Sequence, residues 1–256
     1  MGFQHIKFSI EDRVARITFA RPPLNIFNIA MMREIGAALD EGSRQTDLAA
    51  ILFDAAEGSR AFSAGVAIEE HVPETVVEML DSFHNIFRRL AQISRPVIAV
   101  VNGAALGGGC ELAAACDIVI ASELAKFGQP EIKLGVFPPI AAILLPRIVG
   151  DKKAREMILL GEVIDATQAL RHGLANYVGP ATELETYAAR ILTSLRELSS
   201  SSLAMTRRAL SMEADGFEQS LRAVENLYLD QLMKTADANE GLRSFMEKRQ
   251  PRWQHK

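Results

Sequence analysis

A chain of 256 residues, 48% apolar and 23% charged, can bury a sizeable core and has the balance of an ordinary globular protein. Its net charge of −4 gives no general attraction for nucleic acid or an anionic membrane surface, so a phosphate-bearing ligand must be held by local cations. Cys110 and Cys116 are the only cysteines, which argues against a disulfide scaffold and for a reducing, cytoplasmic setting.

The first ten residues mix His5, Lys7 and Ser9 with isolated apolar positions, so no signal peptide is expected. Alternation over 6–10 and 14–19, separated by Glu-Asp-Arg, predicts a β-hairpin. Residues 28–42 have helical spacing, with Met31, Ile35 and Leu39 on one face. The apolar runs 49–53, 96–101 and 116–120 read as buried strands, and a long helix over 74–91 separates the first two. Strands recurring between helices predict a layered α/β arrangement with parallel pairing. The segment 96–121 is the most apolar, yet Asn102, Glu111, Asp117 and a glycine cluster break it. It reads as strand, loop and helix inside a core, not as a membrane span.

Beyond Leu144 the pattern turns helical, over 152–160, 166–172, 183–195, 201–212, 217–233 and 236–248, with a strand only at 175–178. The chain therefore divides into an α/β core over 1–195 and a helical region over 196–256. The stripe Leu221, Val224, Tyr228 and Leu232 fits either core packing or a subunit contact.

The chemistry-bearing stretch is Asn102-Gly-Ala-Ala-Leu-Gly-Gly-Gly-Cys-Glu111, followed by Gly128-Gln-Pro-Glu131. Glycines allow a backbone N–H to approach a ligand oxygen closely. A helix start leaves N–H groups unpaired and attracts negative charge. Two carboxylates beside such a site can divide acid and base roles if their surroundings separate their pKa values. His71 and His84 lie on charge-rich helical segments and read as surface or boundary residues. The five histidines show no ligand spacing, so no metal site is expected.

With these pieces in order, the chain resembles the enoyl-CoA hydratase/isomerase family, the crotonase superfamily. The residues that carry the resemblance are Arg21-Pro-Pro-Leu-Asn25, Ala61-Phe-Ser-Ala-Gly-Val66, the 102–111 stretch, Ala125-Lys-Phe-Gly-Gln-Pro-Glu131, Leu134-Gly135 and Glu240-Gly-Leu-Arg-Ser-Phe-Met-Glu-Lys248. The resemblance implies a spiral of ββα units with a C-terminal helical subdomain. It implies an oxyanion hole from the N–H groups of Val66 and Gly108, with Glu111 as the water-activating base and Glu131 as the main proton donor. It places coenzyme A against Arg21 and the backbone around Asn25, Ala64 and Ile68. Phe245 and Lys248 match positions that reach the nucleotide of a neighbouring subunit, although Lys248 could equally be a favourable charge at a helix end. It implies a trimer or a dimer of trimers assembled through 196–256, an acyl-CoA substrate, and no cofactor beyond the coenzyme A of that substrate.

The chain departs from many relatives at Ala67, where they carry Asp, and at Phe137-Pro-Pro-Ile-Ala-Ala142, where they carry proline and several glycines. Pro139 and Ile140 are thus expected to reshape the acyl pocket. With Phe62-Ser-Ala-Gly-Val-Ala67, this loop looks like the cyclic dienoyl-CoA hydratases of aromatic-acid breakdown, the cyclohexa-1,5-diene-1-carbonyl-CoA hydratase group. The alternatives are a general short-chain enoyl-CoA hydratase, an isomerase, which needs one base and no activated water, or a decarboxylase or thioester hydrolase. A non-enzymatic RNA-binding relative is disfavoured by the acidic balance and by the lack of a Lys/Arg-rich segment.

Overall fold

The computed structural model describes residues 2–211 and 216–254; position 212, the end of one expected helix, and His255 lie outside the described residues. Strands β1 (Ile6–Glu11) and β2 (Val14–Phe19) form the expected hairpin, with Asp12 and Arg13 at φ 45° and 63° in its turn. Asn28 caps α1 (Ile29–Ser43), its side chain accepting from the Met31 N–H. The chain then runs through β3 (Ala50–Ala55), β4 (Ala61–Ser63), α2 (Val76–Gln92), β5 (Val97–Val101), β6 (Ala104–Leu106), α3 (Gly108–Ala114), β7 (Ile118–Ser122) and β8 (Lys126–Gly128). It continues with α4 (Pro139–Ile148), α5 (Asp151–Leu160), β9 (Val163–Asp165), α6 (Ala166–Arg171), β10 (Tyr177–Gly179), α7 (Leu184–Arg196), α8 (Ser200–Ser211), α9 (Phe217–Asn226) and α10 (Ala236–Met246).

A six-stranded sheet has the order β1-β2-β3-β5-β7-β10, parallel except for the first hairpin. A four-stranded sheet has the order β4-β6-β8-β9, parallel except for its last pair. The chain visits the large sheet, then the small one, then a helix, and repeats: β3-β4-α2, β5-β6-α3, β7-β8-α4. This is a spiral of ββα units.

Parallel strands covered on both faces read as continuous apolar runs. In β3 and β5, Ile51, Phe53, Val97, Ala99 and Val101 enter the main core, while Ala50, Leu52, Ile98 and Val100 face a second cluster with Leu184, Ala188 and Leu192 of α7. That is the period-two alternation of a strand. Leu221, Tyr228, Ala238 and Leu242 from 196–256 join the main core, so the C-terminal stripe packs inward at Leu221 and Tyr228.

The structure corrects three expectations. The strands β4, β6, β8 and β9 were not foreseen; each has three residues, too few to show alternation. Of the loop expected at 137–142, only 137 and 138 are loop; 139–142 begin α4, with Pro139 in its first turn, where the missing N–H costs nothing. The helix expected over 217–233 is α-helical only to Asn226, then π-helical over Leu227–Gln231 and 3-10 over Leu232–Lys234. Among the described residues no helix is long and apolar enough to cross a membrane.

Candidate active site

The small sheet assembles the site. Its neighbours β4, β6 and β8 run parallel, so the loops leaving their C-terminal ends converge, as ligand loops do on open α/β sheets. From β4 comes the turn with Gly65 and Val66; from β6, Gly107 and the start of α3; from β8, Gln129 and the 3-10 turn Pro130–Leu134 that carries Glu131.

Close packing fixes this meeting point. Gly65 has φ 108°, and a Cβ there would lie 3.6 Å from the Gly108 nitrogen. A Cβ on Gly108 would lie 2.8 Å from the Phe83 ring and 2.9 Å from Val66 Cγ2. At Gly107, with φ 51°, a Cβ would lie 2.6 Å from Glu131 Oε1. Phe27 brackets Val66 in a parallel bridge, its N–H donating to the Gly65 carbonyl and its carbonyl accepting from Ala67, which leaves the Val66 N–H unused. Neither the Val66 nor the Gly108 N–H donates to an acceptor among the described residues. Because α3 has only seven residues, these two fixed N–H groups matter more than any dipole of the helix.

The N–H pair and both carboxylates line one cavity of about 380 Å³. Its walls are mostly apolar: Met79, Leu80 and Phe83 from α2, Val136, Phe137, Pro138 and Pro139 before and into α4, and Tyr228 from the π-helical turn. Glu111 is 2% exposed, and its Oε1 accepts from the Ala141 N–H at 2.8 Å. The Ile140 N–H also favours its charged form. Pro138 and Pro139 have no N–H, so the free donors of the first turn of α4 converge on this one carboxylate. Burial outweighs those bonds and pushes Glu111 up to about 7.

Glu131 is half-buried across the cavity. Burial first, and then the charge of Glu111, hold it well above the usual carboxylate range. With its NH2 turned toward the carboxylate, the fully buried Gln129 donates to both oxygens at 3.1 and 3.2 Å. Two interacting acids in one pocket titrate as a pair. The neighbouring Cys110 is fully buried; its thiol is pushed up by burial and belongs to the core.

The other expected contacts divide. Ala64, Ile68, Pro139 and Phe245 line the cavity, and Phe245 does so in its own chain, 54% exposed at the rim. The side chain of Ile140 does not reshape the pocket as expected: it is fully buried in the core, and only its N–H serves the site. Asn25 is buried at φ 49°, accepting from the Arg21 N–H and donating to the Ala61 carbonyl, while the Leu24 carbonyl accepts from Ala64. That loop therefore props the β4 turn. Arg21 Nη1 donates to the Ile26 carbonyl, and neither it nor Lys248 lines the cavity.

His71, expected at the surface or boundary, is half-buried and lines the cavity with Nδ1 on the Ala67 carbonyl, and burial lowers its pKa. His84 is fully buried, bonded through Nδ1 to Glu225 at 2.7 Å; its partner lies too far along the chain for sequence spacing to disclose. Phe137, from the stretch expected to shape the acyl pocket, lines the cavity; Lys133 and Tyr228 are cavity residues that sequence reading missed, because nothing in local spacing separates them from core or surface positions.

The sequence matches the model of the enoyl-CoA hydratase/isomerase family over residues 9–256. It is 40% identical over 248 residues to a cyclohexa-1,5-dienecarbonyl-CoA hydratase of Thauera aromatica, covering 96% of this chain and 95% of that one. It is 33% identical over 256 residues to a short-chain-enoyl-CoA hydratase of Clostridium acetobutylicum, covering 97% of each. A crystal structure of an enoyl-CoA hydratase from Mycobacterium avium subsp. paratuberculosis superposes with a TM-score of 0.88 at 28% identity, over 98% of this chain and 99% of that one. The chain belongs to the enoyl-CoA hydratase/isomerase family and has its crotonase fold. Within that family it is an enzyme of the enoyl-CoA hydratase type, a hydro-lyase.

Proposed function

We propose that the enzyme adds water across the α,β double bond of an acyl-CoA thioester held in this cavity. The observation that carries the reading is the convergence, on one apolar cavity, of two unused N–H groups and two carboxylates of raised pKa. The thioester oxygen accepts from the Val66 and Gly108 N–H groups, which stabilise the negative charge that develops there. Glu111 takes a proton from water as its oxygen bonds to the β carbon. The π electrons move onto the thioester oxygen; as the carbonyl reforms, Glu131 gives its proton to the α carbon. Transfer of the proton from Glu111 to Glu131 restores the starting state, and no group beyond the coenzyme A of the substrate takes part. Lys133 at the rim, with Arg21 and Lys248 farther out, offers the local cations that its phosphates need.

The acyl group belongs to the same proposal: an alicyclic dienoyl thioester, turned over in preference to a linear one. The Thauera aromatica relative supports this choice, as do the flat aromatic walls of Phe137 and Tyr228, whose rings meet edge to face at 5.3 Å. The Clostridium acetobutylicum relative supports short linear enoyl chains as the second reading. A panel of linear and alicyclic unsaturated thioesters, incubated in 18O-labelled water and read by mass spectrometry, separates the two. Label in the alicyclic product at a rate well above that in the linear one is expected; equal or faster linear turnover contradicts the alicyclic reading. Assembly as a trimer or dimer of trimers through 196–256 is likewise proposed, and light scattering of the purified chain tests it.

A further inference from the structure

Tyr228 has three features that a wall residue does not need. It is 1% exposed and lines the catalytic cavity, yet its hydroxyl has no hydrogen-bond partner among the described residues. Tyrosine hydroxyls on buried rings ordinarily find one. It also stands within electrostatic reach of both carboxylates: Glu131 and Glu111 add to burial in holding the phenol protonated.

The third feature is backbone geometry. Tyr228 lies in the five-residue π-helical turn Leu227–Gln231, inserted where α9 would otherwise continue. Such turns are rare and often sit at functional sites. The turn is held on both sides of the ring. Phe137 packs edge to face against it, and three residues earlier Glu225 accepts from His84 and Arg88 of α2, each at 2.7 Å. A phenylalanine would fill the same space without the unpaired hydroxyl.

We infer that Tyr228 contacts the substrate. Its hydroxyl hydrogen-bonds to the oxygen that enters or leaves the acyl chain, making a third polar group beside Glu111 and Glu131. The inference rests on the hydration reading above and deepens it: the site recognises a hydroxyacyl thioester by its new hydroxyl. Because the phenol is neutral and donates, it holds an oxygen without competing for the proton that the two acids exchange.

Tyr228→Phe in the full chain provides the test, with two readouts. In steady-state hydration the variant is expected to lose about tenfold in kcat with KM within about twofold and the melting temperature unchanged. The second readout needs no turnover: calorimetric binding of 3-hydroxybutyryl-CoA and butyryl-CoA to Glu111→Gln, with and without Tyr228→Phe. A preference for the hydroxylated thioester that shrinks about tenfold when the phenol hydroxyl is removed supports the contact. An unchanged preference overturns it, as does wild-type kcat in the single variant. If the wild-type enzyme hydrates no thioester while the binding preference still depends on Tyr228, the hydration reading fails and the hydroxyl contact stands.

Discussion

Glu111 Oε1 accepts a hydrogen bond from the main-chain N–H of Ala141 at 2.8 Å, so the buried carboxylate facing the cavity also completes the first turn of α4. The amide of Glu111→Gln keeps an acceptor oxygen for Ala141 and removes the base. The variant is therefore expected to fold and to bind thioester while losing about 10²- to 10⁴-fold in kcat for hydration. Circular dichroism and stopped-time assays check both halves. Undiminished hydration removes Glu111 from the mechanism.

The pH dependence follows from the same burial. Glu111 sits at about 7 against an ordinary value of 4.5, and Glu131 is also raised, by burial and by the charge of Glu111. The kcat/KM profile is expected to rise as pH passes about 7, where Glu111 ionises, and to fall at higher pH as Glu131 loses its proton. The stability contribution has the opposite slope: it is complete below 4.5 and is lost as pH rises through about 7. Denaturant titrations from pH 5 to 8 should show this decline in the wild type and a flatter curve in Glu111→Gln.

Gly108→Ala tests the N–H pair. Its new methyl would press on the Phe83 ring at 2.8 Å and on Val66 at 2.9 Å, displacing both donors together. Loss of about 10²- to 10³-fold in kcat is expected, with a smaller effect on ground-state binding of a saturated thioester. A variant with wild-type kcat places the thioester oxygen elsewhere.

Much of the large sheet was legible because its hairpin is long enough to show alternation and its buried strands are unbroken apolar runs. Runs such as Ile51 to Phe53 and Val97 to Val101 are apolar throughout, and α1 carries Met31, Ile35 and Leu39 on one face. The small sheet was not, since Ala61–Ser63 or Lys126–Gly128 has no room for a pattern. Glu111 and Glu131 were legible through the glycine-rich motif beside them, not through their own spacing. Pro138-Pro139 read as a loop, although proline at a helix start followed by Ile-Ala-Ala-Ile-Leu-Leu is a usable helix signal. The partners of His84 and the inward turn of Tyr228 arise from tertiary packing alone.

That packing has its own prediction. Glu225→Ala leaves the fully buried His84 and the Arg88 guanidinium without their shared acceptor. The cost is expected to be about 2 kcal/mol, or about 4–8 °C in melting temperature. Calorimetry of the variant checks it, and an unchanged transition would show that α9 is held mainly by its apolar face.

The central claim is a geometry, and a crystal structure with a saturated or otherwise unreactive acyl-CoA bound tests it most directly. The thioester oxygen should lie about 2.7–3.1 Å from both the Val66 and Gly108 nitrogens, with the α and β carbons between Glu111 and Glu131. A thioester oxygen bonded elsewhere, or either glutamate pointing away from the acyl group beyond the reach of a bridging water, contradicts the account.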